Sequence, residues 1–125
     1  MAMARTIQTE MDLLQAADDL VAWSKELLQE APLTENQRTD LQAVSDAAQN
    51  FRTLANQKIE TIKHSTDEAE LQILRHELRN HLNIIVGFSR IILRDLPDNL
   101  LLHLITVRDI QGTGRALLNH VNNMG

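Results

Sequence analysis

The chain has no cysteine and no tyrosine, and its 125 residues include only one tryptophan and two phenylalanines. Without cysteine there is neither a disulfide nor a thiolate metal site. With so few rings, a core has to be built from Leu, Ile, Val and Ala, which suits closely spaced helices. Proline occurs twice, at Pro32 and Pro97, each time in a short polar break. No stretch approaches the roughly 18 uninterrupted apolar residues of a membrane span. Residues 1–15 lack the basic start and long apolar run of an export signal. The net charge of -5 comes without a basic patch, which argues against a nucleic-acid partner. These absences lead to the expectation of a soluble cytoplasmic protein.

What the chain does have is apolar periodicity. Apolar residues make up 43% of it, and a single domain of this length buries about two thirds of its unfolded surface. The spacing predicts a first helix over about 7–30, with Met11, Leu14, Val21 and Leu28 on its apolar stripe. Thr34 is placed to cap a second helix, and Gln37 three residues later completes a capping-box pattern. That helix uses Leu41, Val44, Ala48, Phe51, Leu54 and Ile59 and ends near His64, where S-T-D-E supplies both a stop and the next cap. The third carries Leu71, Leu74, Leu78, Ile85, Phe88 and Ile92 at the spacings of a left-handed bundle seam. After the turn L-P-D-N, a fourth helix is expected over about 99–122. Short connections favour antiparallel neighbours, so the expected fold is all-α: one domain, an antiparallel four-helix bundle of two hairpins, about 7–64 and 67–122. Its predicted core includes Leu14, Val21, Leu41, Val44, Leu54, Leu74, Leu78, Ile85 and Ile92. Gly112 and Gly114 each cost roughly 1 kcal/mol of helix stability relative to alanine. Either they permit close backbone approach or a bend, or strong packing elsewhere tolerates them; the second is the reading adopted.

The two hairpins resemble each other. V-S-D-A-A-Q-N-F-R-T-L-A-N from Val44 aligns without a gap to V-R-D-I-Q-G-T-G-R-A-L-L-N from Val107. With a two-residue difference in the turn, Leu13 falls opposite Leu78, Val21 opposite Val86, Trp23 opposite Phe88 and Met11 opposite His76. Any two amphipathic hairpins of similar length can align this way. Alternatively, the chain is a fused pair of hairpins in which one copy lacks its histidine, leaving one active face instead of two.

His76 lies opposite the apolar stripe of the third helix, with Glu77 beside it and Asn80 and Asn83 on the same face. A histidine ring nitrogen can carry a phosphoryl group, and a neighbouring acid can orient the ring or hold its proton. The run H-E-L-R-N-H-L-N-I-I-V-G-F-S, His76 to Ser89, resembles the phospho-acceptor box of the dimerisation and histidine-phosphotransfer domain of two-component sensor histidine kinases. Members of that family typically read H-E-[LIM]-[RK]-[TN]-P-L-x-x-I-x-G, and His76, Glu77, Leu78, Arg79, Asn80, Leu82, Ile85, Gly87, Phe88 and Ser89 match. The likeness covers about residues 71–121.

That resemblance implies His76 as phospho-acceptor, Glu77 as the acid assisting transfer and Asn80 as the polar residue positioning ATP or a hydrolytic water. It implies a response-regulator receiver domain as partner, with Mg²⁺ on the receiver and no cofactor in this chain. A kinase catalytic domain or a homodimer partner is a further possibility it raises. His81 replaces the usual proline, so the kink associated with proline is not expected. The sequence carries no glycine-rich nucleotide loop, so these residues are not expected to autophosphorylate. Arg75 or Arg79 could meet transferred phosphoryl oxygens, though ordinary solvent-facing charge is the reading adopted for both. His76 and His81 are five apart with Asn80 at the position a zinc helix needs for its second histidine, so no zinc site is expected. His64, His103 and His120 are read as surface or boundary residues. The competing reading is a non-catalytic helical interaction or oligomerisation domain of a larger signalling protein. A third is assistance to a phosphatase reaction through Asn80.

Overall fold

Caps set where the long helices begin. In the computed structural model, which describes residues 6–97 and 100–124, α1 spans Glu10–Glu30, α2 Glu35–Gln57, α3 Ile59–His64, α4 Glu68–Asp95 and α5 Leu101–Asn122, with no strand among the described residues. The Thr34 hydroxyl accepts from the Gln37 N–H at 3.1 Å, while the Thr34 N–H donates to Gln37 Oε1 at 3.0 Å, closing the expected capping box. Thr9 and Asp12 form a second capping box, so α1 starts at Glu10 and not at residue 7. Asp67 accepts from the Ala69 and Glu70 N–H groups at the start of α4. The expected second helix divides at Lys58, whose φ of -109° and ψ of 13° separate α2 from the short α3. No residue of α3 is buried. Most of the turn after Pro97 (Asp98 and Asn99) lies outside the described residues.

The long helices form a ring in the order α1, α2, α4, α5. All neighbours run antiparallel. The start of α2 meets the end of α4 through Gln37 Nε2 donating to the Asp95 carbonyl at 3.2 Å. The end of α5 meets α4 through Arg79 and Asn122. Next to the start of α1, His120 Nδ1 donates to the Ile7 carbonyl at 3.2 Å. One apolar cluster fills the centre, with Leu20, Phe51, Leu78, Leu82, Ile85, Ile110 and Leu117 all fully buried.

Seven of the nine predicted core residues are buried; Leu14 and Leu54 are only partly so. On α1 the expected stripe is displaced by one residue. Met11 is 73% exposed, while Leu13, Leu20 and Leu27 face inward together with Ala16, Ala17 and Ser24. Positions paired by the internal alignment have matching environments: Leu13 and Leu78, Leu20 and Ile85, Val21 and Val86, and Leu27 and Ile92 are all buried. Ser24 and Ser89 are also paired and buried, and each hydroxyl donates to the carbonyl three residues earlier, at 3.0 and 3.1 Å.

The two α5 glycines differ. A Cβ on Gly114 would stand 3.0 Å from Val86 Cγ2 and 3.3 Å from Ile85 Cγ2, whereas one on Gly112 would meet nothing within 4 Å. Close approach of α4 therefore accounts for Gly114, which corrects the expectation of mere tolerance. Gly112→Ala should stabilise the fold by about 1 kcal/mol through helix propensity. Gly114→Val should destabilise it by about 1–3 kcal/mol through overpacking. Urea midpoints moving in opposite directions are the expected result.

Candidate histidine phosphotransfer face

Leu71, Leu74, Leu78, Leu82, Ile85 and Ile92 turn one side of α4 into the core. At about 100° per residue, the opposite side carries His76, Asn80 and Asn83, all three exposed. His76 and Glu77 border one open depression with Gln72, Ile73, Arg75 and Arg79. The ring is thus accessible from solvent. Among the described residues, Glu77 and His76 are not hydrogen-bonded to each other. Glu77 points about 100° round the helix from His76 and also borders a second depression with Lys58, Thr61 and Glu70. Asn80 stands one turn further along, on the same open side. His81 is half-buried, in keeping with a packing role beside the stripe.

The arginines on either side of His76 do not fit the expectation of solvent-facing charge. Arg79 Nε donates to Asn122 Oδ1 at 2.9 Å. Arg75 Nη2 donates to the Met124 carbonyl and lies 3.7 Å from Glu68, with its side chain only 17% exposed. Arg75 Nε is buried without a hydrogen-bond partner. Both guanidinium groups reach toward the end of α5, one to the Asn122 side chain and the other to the Met124 carbonyl just beyond the helix. Charge alone did not reveal this in the sequence, because the partner groups lie more than 40 residues away.

Sequence reasoning also left Ile84 and Ile91 without a role. They are 39% and 38% exposed and, with Asn83, Gly87 and Phe88, line a shallow apolar groove on α4. The signal was present in the pairs Ile84–Ile85 and Ile91–Ile92. Adjacent helical residues point about 100° apart, and burial of Ile85 and Ile92 turns the first of each pair outward.

Among the described residues no group of three or more His, Asp or Glu side chains is placed to hold a metal ion. No helix among them is long and apolar enough to cross a membrane. Comparison of the chain with protein-family models, curated proteins and solved structures found no match.

Proposed function

We propose that the chain is a histidine phosphotransfer module that exchanges a phosphoryl group between His76 and an aspartate of a response-regulator receiver domain. The observation that carries this reading is the exposed His76, with Glu77 beside it and Asn80 one turn on, projecting from a helix whose opposite face closes the core. A phosphoryl acceptor has to enter a second protein's active site, and a rigid bundle helix presents the ring without a large ordering cost on docking. The lone pair of one ring nitrogen bonds to phosphorus as the bond from phosphorus to the donor oxygen breaks. The proton on the other ring nitrogen is the one that Glu77 can hold. In the reverse direction a receiver carboxylate oxygen attacks phosphorus and the imidazole leaves. Mg²⁺ belongs to the receiver in this scheme. One chain supplies both hairpins of the bundle.

Phosphoramidate, followed by receiver domains, tests the proposal. Intact-mass measurement should show one phosphoryl group on the chain, acid-labile and base-stable, and its disappearance as a receiver gains it. Glu77→Gln should slow uptake by about 10²-fold, the lower end of typical acid–base contributions, with unfolding unchanged. Asn80→Ala should leave uptake intact and slow only loss of phosphate from an aspartyl-phosphate receiver. A chain that binds receivers tightly yet never carries phosphate would instead be an interaction domain.

A further inference from the structure

We propose that the last turn of α5 is a latch that senses the charge on His76. Arg75 and Arg79 hold it closed while the ring is unmodified, and a phosphoryl group on the ring draws Arg79 off Asn122 and opens it. The inference rests on the phosphotransfer reading and adds a regulated element to it.

Three side-chain tethers meet at that turn. Arg79 Nε donates to Asn122 Oδ1, Arg75 Nη2 to the Met124 carbonyl, and His120 Nδ1 to the Ile7 carbonyl. Two of the three start from residues that flank the candidate acceptor. The backbone closes the turn only loosely. The Asn123 N–H is shared between the Asn119 and His120 carbonyls at 3.2 Å each, and the Met124 N–H reaches the Val121 carbonyl at 3.2 Å. Helix ends of this kind fray at almost no cost, so the arginine tethers carry much of the closure.

Arg79 is placed to leave. It stands three residues after His76, which sets their Cβ atoms about 5–6 Å apart, and both line the same open depression. Of its guanidinium N–H groups only the Nε–H is bonded among the described residues, and its partner is a neutral amide. A phosphoryl group on a side chain brings roughly two negative charges and three acceptor oxygens. Charge-assisted hydrogen bonds are about twice as strong as neutral ones, and the guanidinium fork matches phosphoryl oxygens two at a time. The new partner therefore outcompetes Asn122. Arg75 follows the same pull, because its Nη2 bond is also to a neutral carbonyl and its Nε has no partner to give up.

The related hairpin shows that packing does not demand these arginines. In the internal alignment Glu10 stands opposite Arg75 and Leu14 opposite Arg79, and all four are half-buried. Leu14 packs against the core there. Ile59 stands opposite Asn122. The hairpin without the histidine thus lacks both guanidinium groups and the asparagine that receives one of them.

Amide hydrogen exchange followed by NMR, before and after phosphoramidate labelling, tests the latch. In labelling, a His76 ring nitrogen bonds to phosphorus as the P–N bond of phosphoramidate breaks, and ammonia leaves with the electron pair. Labelling should speed exchange of the Asn123 and Met124 N–H groups by about fivefold or more, the low end of typical coupling between sites, and leave exchange in α2 unchanged. Arg79→Leu, which copies the α1 residue, should exchange fast at both positions before labelling and gain nothing from it. Arg79→Gln, which keeps most of the stem and loses the charge, should behave the same if the leucine variant does not fold. An equal rise on labelling in these variants, or a rise spread over all helices, would overturn the proposal. Labelled His76 with unchanged exchange at Asn123 and Met124 would sink the latch alone, whereas a His76 that takes up no label would sink the phosphotransfer reading and the latch with it.

Discussion

His76→Gln should take up no phosphoryl group from phosphoramidate or from a phosphorylated receiver, while its melting temperature stays within about 2 °C of the parent. The first half follows from chemistry, because glutamine offers an amide nitrogen whose lone pair is delocalised and cannot hold phosphorus. The second follows from position. His76 is exposed on the side of α4 away from the core, and substitutions at such sites usually shift stability by no more than about 0.5 kcal/mol. His81→Gln provides the contrast: its position is half-buried, so it should retain labelling and respond, if at all, in stability. Labelling of a folded His76→Gln protein at the parent's level would reject His76 as acceptor. Tryptic mapping would then identify which of the remaining histidines carries the group.

Leu78→Ala should cost about 2–5 kcal/mol, the range for large-to-small changes at sites that cannot collapse. Leu78 is fully buried in the central cluster, two residues along from His76 but facing the other way. In a domain of this size the loss corresponds to a fall of roughly 8–20 °C in melting temperature and a large share of a total stability of about 5–15 kcal/mol. Calorimetry at matched concentration measures it. A change below about 0.5 kcal/mol would contradict the α4 stripe. The pair His76→Gln and Leu78→Ala therefore separates chemistry from scaffold on one turn of one helix: the first variant loses the reaction and keeps the fold, and the second loses stability while every exposed group remains.

Legibility in the sequence depended on how many apolar residues competed for each inward position. On α4, Leu71, Leu74, Leu78, Ile85 and Ile92 proved buried and Phe88 only partly so, because long side chains at bundle spacing left one dominant choice of face. On α1 the doublets Leu13–Leu14, Leu20–Val21 and Leu27–Leu28 offered two stripes of equal hydrophobicity about 100° apart. Small residues settled the choice. Ala16, Ala17 and Ser24 face inward, so Leu13 and Leu27 turn in ahead of Leu14 and Leu28, while Leu20 and Val21 are both buried. A count weighted toward large side chains could not see this. Thr34 and Gln37 were readable as a cap because both partners are local, and Thr9 with Asp12 was missed because Asp stands where Glu or Gln is the usual partner. Gln37 has a further role in holding the Asp95 carbonyl, and Arg79 reaches Asn122. Such long-range pairings have no periodic signature. The exposure of His76, Glu77, Asn80 and Asn83 followed directly from the α4 register.

The hydrogen bond from His120 to the Ile7 carbonyl has a topological consequence. It joins the last helix to the segment just before the first, so the ring of helices is closed by a side chain where the peptide chain is open. The connection between α1 and α2 is only a few residues long and carries exposed Pro32 and Thr34. A linker from the end of α5 to the segment before α1, with new ends opened in that connection, should preserve all four helix neighbours and the register of α4 beneath His76. The order in which the helices are strung is thus separable from the way they pack, and the bundle is a cyclic object cut at one of its seams.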